Sequence, residues 1–297
     1  MDRLDAMEVF AQVAERGSFT AAARTLRRPR STVTATVQAL EARLGVKLLH
    51  RTTRRVSLTP DGALYLRECR RLLREVEEME AGLGQGQAAL RGRVRVDVPA
   101  AAGRHLLAPA LPDFLDRYPD IVVELGSGDR PVDLLAEGVD CVIRGGDVHD
   151  ASLVTRSLAR LPVRTLASPG YLARHGRPSS PDDLGAHLFV AFFSPRTGRV
   201  FEPEFTLDGH LRPVAVRHRL AVNDADTWLA ATLAGLGLAQ IPVSAHIRGH
   251  LDRGELVEVL ADFPAGELPL HLLYPRARRL PGRVRAFVDW VVGVYAL

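Results

Sequence analysis

Between residues 30 and 44 the side chains sort by helical spacing into two sets with different chemistry. Val33, Val37, Leu40 and Leu44 recur at intervals of four, three and four, so they share one inward face. Ser31, Thr34, Ala35 and Gln38 are left on the other face, where hydroxyl and amide groups can hydrogen-bond an outside partner. Just downstream, Arg51, Thr52, Arg54 and Arg55 lie in and between two β-prone stretches, 48–51 and 56–58. That spacing predicts a two-stranded wing with cations at its tip. Residues 1–60 carry 11 Lys/Arg against 5 Asp/Glu, whereas residues 61–297 carry 28 against 30. The basic character is confined to the segment that holds the polar helix face, which points to phosphate and hence nucleic acid.

Other chemistries find less support. His246 and His250 stand four apart, as metal ligands on a helix can, but no H-E-x-x-H pattern or third ligand accompanies them. Ser168 lacks a G-x-S-x-G elbow, and no P-loop or dinucleotide fingerprint occurs. No catalytic residue, metal or cofactor is therefore expected. Cys69 and Cys141 are far apart, which fits free thiols in a reducing cytoplasm. The opening residues carry acids and no long apolar run, and no stretch of 18 apolar residues appears, so neither a signal peptide nor a membrane span is expected.

The elements that must position these residues follow from pattern. One helix puts Leu4, Met7, Phe10, Ala11 and Ala14 on one face and stops at Gly17. Ser18 caps a second, with Phe19, Ala22, Ala23 and Leu26 inward, and Pro29 separates it from the third. Thr59-Pro60 starts a long helix. There Tyr65, Cys69, Leu72, Val76, Met79 and Leu83 follow heptad spacing, which predicts a dimerisation seam between two copies. Glycines 82, 84, 86 and 92 then mark a hinge. Beyond it, strands at 94–98, 121–125, 141–143, 163–167, 214–222, 238–241 and 268–274 alternate with helices, βαβ grammar that implies a parallel-rich sheet. The fold class is α/β overall, with an all-α winged helix-turn-helix at the N-terminus.

Residues 2–62 resemble the DNA-binding region of the LysR-type transcriptional regulators. The elements in register are Gly17-Ser18-Phe19, Ala21-Ala22-Ala23, Leu40-Glu41, Leu44-Gly45, Leu48-Leu49, Arg51-Thr52 and Leu58-Thr59-Pro60-Asp61-Gly62. Tyr118-Pro119, Asp133-Leu134 with Gly138-Val139-Asp140, Ile143-Arg144-Gly145-Gly146 and Gly235-Leu236-Gly237-Leu238-Ala239-Gln240-Ile241-Pro242 continue the likeness into the family's effector domain. The resemblance implies a two-lobed α/β effector domain similar to periplasmic binding proteins. Its parts are a reading head at 1–59, a linker helix and hinge at 60–92, and an effector domain at 93–297. Lobe one spans about 93–161 and 268–297, and lobe two about 162–267.

It also implies roles. Arg30, Ser31, Thr34 and Ala35 face the bases of double-stranded DNA in the major groove, Arg30 with two donors for one guanine. Arg51, Thr52, Arg54 and Arg55 hold phosphates or probe the minor groove, and Ser18 and Thr20 touch the backbone. Two positions depart from the family, Pro29 where Ser is frequent and Ala35 where Arg is frequent. In open α/β sheets ligands bind beyond the carboxyl ends of strands. The junction Pro99-Ala100-Ala101 is such a place, and its backbone amides could hold a carboxylate, so an anion is one effector class. By family position Arg144, Gly145, Phe193, Asn223, Asp224 and Pro242 join it. Arg144 is either a ligand contact or a structural bridge to Asp140 or Asp147. The implied assembly is a homodimer through the linker helix and a homotetramer beyond it, with RNA polymerase as partner if the chain activates. A solute-binding transport protein is the rival reading.

Overall fold

The computed structural model describes residues 2–51, 56–82, 90–129, 134–148, 150–195, 197–276 and 280–296. Thr52, Arg54, Arg55 and Leu83, and the side chains of Arg51 and Met79, lie outside the described set. The chain forms two compact units, Met1–Ala89 with Asp133–Gly138, and Leu90–Val132 with Val139–Leu297.

In the first unit α1 (Arg3–Arg16) is capped by the Asp2 carboxylate and ends on Gly17 at φ 58°, a left-handed turn that favours glycine. Ser18 caps α2 (Phe19–Thr25), and α3 (Arg30–Leu44) ends on Gly45. Strands β1 (Leu49–Arg51) and β2 (Val56–Leu58) pair antiparallel as the wing. The linker α4 (Pro60–Gly82) follows. Phe10, Phe19, Val33, Val37, Leu40 and Leu48 close one core, each burial contributing about 1.5–3 kcal/mol.

That core also claims part of the expected dimer seam. Cys69 is fully buried in it with Leu66, and the Tyr65 ring lies 5.6 Å from that of Phe10. Cys69 therefore packs inside its own chain and is closed to a second copy, whereas Tyr65 is half-buried and only partly covered by α1. Heptad spacing reports an apolar stripe but not whose helix covers it. Leu72 and Val76 are half-buried.

The second unit begins with β3 (Gly92–Val98). Helix α5 (Ala100–Ala102) runs through a π-turn (Gly103–Leu107) into α6 (Ala108–Arg117). Helix formation thus starts at Ala100, directly after Pro99 at the end of β3. Strand β4 (Ile121–Ser127) follows, then α7 (Leu134–Glu137), which belongs to the first unit, then β5 (Cys141–Gly145) and β6 (Leu153–Ala167). Helix α8 (Pro169–His175), a 3-10 turn (Pro181–Ala186), β7 (Leu188–Phe193) and β8 (Val200–Phe201) lead to the hairpin β9 (Glu204–Leu207) and β10 (His210–Pro213). Strand β11 (Arg217–Val222), α9 (Ala225–Leu233), β12 (Ala239–Pro242), α10 (Ala245–Asp252), β13 (Val257–Glu258), β14 (Glu267–Pro275) and α11 (Gly282–Ala296) complete it.

Pairing is mixed rather than mostly parallel. Strand β3 pairs parallel with β4 and β5, and β7 with β11, but β14 pairs antiparallel with β5 and β6. Strand β6 pairs with β14 from Leu153 to Pro162, then with β12 and β13 from Val163 to Ala167. One strand thus serves two lobes. The first lobe's core holds Val94, Phe114, Ile143 and Phe287, whereas the second divides around Val190 and Ile241 and around Tyr171 and Phe205. Among the described residues no helix is long and apolar enough to cross a membrane.

Candidate DNA-reading face and effector cleft

Helix α3 turns Val33, Val37, Leu40 and Glu41 inward and leaves Arg30, Ser31, Thr32, Ala35, Gln38, Ala39 and Ala42 exposed. Thr34 is half-buried, at the edge of this face rather than its centre. Thr32, which helical spacing could have added, stands beside Ser31. Among the described residues Arg30 has no hydrogen-bond or ion-pair partner, whereas Arg28 is held by Asp5 at 2.6 Å. Pro29 provides no side-chain cap, and the first turn of α3 holds no acid. The first-turn amides and the exposed Arg30 are therefore open to an anion. Thr20 is exposed on α2, and the Ser18 hydroxyl accepts from the Ala21 amide at 3.3 Å.

What fixes the wing against this helix is a residue that periodicity places inward without a reason. The Glu41 side chain is 1% exposed. It accepts from the Leu48 and Leu49 amides at 3.0 and 3.2 Å and pairs with Lys47 at 3.0 Å. Burial pushes its carboxyl up, but Lys47 and the two amides outweigh burial and leave it below the ordinary value. Thr59 extends the clamp, its hydroxyl donating to the Lys47 carbonyl at 2.7 Å and accepting from the Gly62 amide at 2.9 Å. A Cβ on Gly62 would sit 1.9 Å from the Leu48 carbonyl oxygen, so only glycine allows α4 to pass this close. The Leu40-Glu41 and Pro60-Asp61-Gly62 elements are thus the joint between reading helix, wing and linker.

In the second unit the carboxyl ends of β3, β4 and β5 carry Pro99, Ser127 and Arg144-Gly145. The ends of β7 and β11 carry Phe193 and Asn223-Asp224, and Pro242 ends β12. Arg144 is a structural bridge, but to neither expected acid: its guanidinium pairs with Asp97 and donates to the Ile143 carbonyl at 2.7 Å. Asp140 instead accepts from the Arg95 amide at 2.8 Å. Gly126 makes room for this pair, since a Cβ there would lie 2.6 Å from the Asp97 carboxylate.

Sequence reasoning missed Asp129, which gathers several of the expected residues. The amides of Ala100, on the first lobe, and Ala225, on the second, face its carboxyl, with Asp224 and Arg144 in electrostatic range. Burial raises its pKa, Asp224 adds to that, and the two amides and Arg144 do not compensate. Its Oδ2 is buried without a hydrogen-bond partner among the described residues. The only signal in sequence was an acid two residues beyond the end of β4.

Two family descriptions match the chain, "Bacterial regulatory helix-turn-helix protein, lysR family" over residues 4–63 and "LysR substrate binding domain" over residues 87–296. Among curated proteins, an HTH-type transcriptional regulator of Escherichia coli K12, YhjC, is 41% identical, covering 99% of this chain and 98% of its own length. An HTH-type transcriptional repressor of Pseudomonas aeruginosa is 40% identical, covering 100% and 93%. Among solved structures, the Vibrio cholerae virulence activator AphB has 29% identity and a TM-score of 0.64, with 98% of this chain and 99% of that one covered. CrgA, a LysR-type transcriptional regulator from Neisseria meningitidis, has 31% identity and a TM-score of 0.62, with 99% of each covered.

Proposed function

The chain belongs to the LysR family of bacterial helix-turn-helix transcriptional regulators, and from that membership we propose how its two units divide the work. It is a sequence-specific DNA-binding regulator, not an enzyme, and a small-molecule effector modulates it. The outer face of α3 enters the major groove. Arg30 and Ser31 lead, Gln38 and Ala35 follow, and Thr34 reaches in from the edge. Arg51, Thr52, Arg54 and Arg55 of the wing, with Ser18 and Thr20, contact the backbone. The observation that carries this reading is the exposed Arg30, without a partner among the described residues, at the start of α3, which has no side-chain cap.

The effector binds between the lobes, beyond the ends of β3, β5, β7 and β11, where Pro99, Ala100, Ala101, Gly145, Phe193, Asn223, Asp224 and Pro242 converge. An anion there has to displace the Asp129 carboxyl from the Ala100 and Ala225 amides, because Arg144 is already engaged by Asp97. We read the cleft as one whose effector competes with an internal carboxylate. Dimerisation uses the uncovered side of α4, where exposed Leu64 continues a patch with Leu44 and Val46, and extends along Leu72 and Val76. A homotetramer, a cytoplasmic location and contact with RNA polymerase in the case of activation complete the proposal.

A gel shift of the full chain on the DNA upstream of its own gene tests the first half, with retardation at low salt expected. Absence of a shift, together with tight binding of a solute, returns the chain to the transport reading. Light scattering tests the assembly: Leu64→Arg is expected to yield monomers, and an unchanged mass removes Leu64 from the interface.

A further inference from the structure

The two lobes of the second unit touch through histidines that the DNA-and-effector reading does not use. His105 lies in the π-turn of the first lobe. Its Nε2 is 3.0 Å from a carboxylate oxygen of Asp226, at the start of α9 in the second lobe, and Arg104 reaches the other oxygen at 2.6 Å. The other side of the arrangement is a ring stack. His105 lies on His246 of α10 with centroids 3.6 Å apart and planes 6° from parallel. His246 in turn meets His250 edge-on at 4.9 Å. His250 pairs with Glu255 at 2.5 Å, and Arg253 holds the same carboxylate at 3.0 Å.

We propose that the stack of His105 on His246, anchored by Asp226, is an interlobe latch that acidification opens. It rests on the reading of the lobe interface as the effector cleft. A proton on His246 sets a cation against the face of the His105 ring at stacking distance, with Arg104 and Arg253 adding to the positive field and Asp226 already shared by His105 and Arg104. Burial holds His246 below its ordinary value, and His105, His250 and Arg253 lower it further while Asp226 opposes them. Once the lobes part, His246 regains water and its ordinary affinity for protons. The open form therefore binds more protons, and closure is favoured above the ordinary imidazole range of about 6.5 and lost below it. Glu255 stays ionised throughout this window, because Arg253 and His250 hold it down to about 2.

The test measures the distance between the lobes in the full chain without any effector. Spin labels go on Arg285→Cys in α11 and Arg219→Cys in β11, both exposed positions, and the native Cys69 and Cys141 are buried. Labelled chain is diluted into unlabelled chain so that only distances within a chain are read. A longer distance is expected to grow in as the pH falls from 8 to 5.5. His246→Phe keeps a ring to stack but takes no proton, and it is expected to hold the short distance at pH 5.5. Asp226→Asn removes the acid that opposes the positive field at His246 and is expected to move the opening to higher pH. An unchanged wild-type distance, opening of His246→Phe with the wild-type profile, or an Asp226→Asn opening that does not move upward overturns the latch. No small molecule enters this measurement. Its failure leaves the effector reading standing, and failure of effector binding would show in a separate titration at fixed pH.

Discussion

Glu41 in the reading head and Asp129 in the sensing cleft are both desolvated carboxylates, and their surroundings drive them in opposite directions. Glu41 is the more buried side chain, yet three donors converge on it and its carboxyl is held low. Asp129 is less buried, faces two amides and a like charge, keeps one buried oxygen without a partner among the described residues, and is pushed up. The difference separates two kinds of polar site. A satisfied network fixes one geometry, which a recognition helix and wing need in order to present the same donors to every DNA site. An under-satisfied group sits higher in free energy and can be relieved by a movement or a ligand, which a sensor needs. The same contrast holds for the cations. Arg30 faces outward with no partner among the described residues, whereas Arg144 is turned inward on Asp97.

The strongest way to break this contrast is to remove the satisfied carboxylate. Glu41→Ala strands the Leu48 and Leu49 amides in a buried setting, each costing about 1–3 kcal/mol, so the reading head is expected to lose roughly 2–5 kcal/mol. Urea unfolding followed on the first unit, together with loss of DNA retention, checks this. Glu41→Gln keeps one acceptor and should lose less. Since the folded carboxyl is held below the ordinary value of 4.5, its contribution is present at neutral pH and fades as the pH falls below that value. A Glu41→Ala head as stable as wild type would mean that the buried carboxylate is no clamp.

A middle-sized effect is expected where the reading head meets its ligand. Arg30→Ala should leave folding intact, because the side chain is exposed, and cost about 1–3 kcal/mol on the cognate DNA site. Selection from a randomised DNA pool should show one base position relaxed. Equal weakening on every sequence would assign Arg30 to phosphate alone.

The legibility of the sequence followed the same division. The three helices of the head, the stop at Gly17, the cap at Ser18 and the inward Val33, Val37 and Leu40 could be read directly, because each depends on neighbours within a turn or two, whereas Leu44 of the same row is exposed at the helix end. The role of Glu41 could not, since its partners lie six to eight residues on and only the folded wing brings them there. Periodicity found the stripe of α4 but not that its own chain covers Cys69 and part of Tyr65. In the second unit the strand 163–167 emerged as the last third of β6, because residues 153–162 mix polar and apolar side chains and bury none of them fully. Strand ends pointed to Ala100 and the family resemblance added Arg144 and Asp224, but pairing of Arg144 with Asp97 is a cross-strand fact with no local signature.

The smallest expected effect bears most directly on the contrast, because it runs against the usual outcome of mutation. Asp129→Asn removes a charge that burial and Asp224 disfavour while keeping an oxygen for the Ala100 and Ala225 amides. A carboxyl whose folded pKa is raised destabilises the fold above that value and ceases to do so as the pH falls through it. The variant should therefore raise the melting temperature of the second unit at pH 7.5, by a gain of no more than about 1 kcal/mol given the residue's partial contact with solvent. The gain should shrink as the pH is lowered toward and below the raised value, where the wild-type carboxyl is itself protonated. Because the variant relieves what the effector is proposed to relieve, it should also leave less for an effector to change. Calorimetric scans of wild type and Asp129→Asn between pH 4 and 7.5 check the sign. A loss of stability at pH 7.5 would make Asp129 a satisfied group like Glu41 and dissolve the distinction between the two sites.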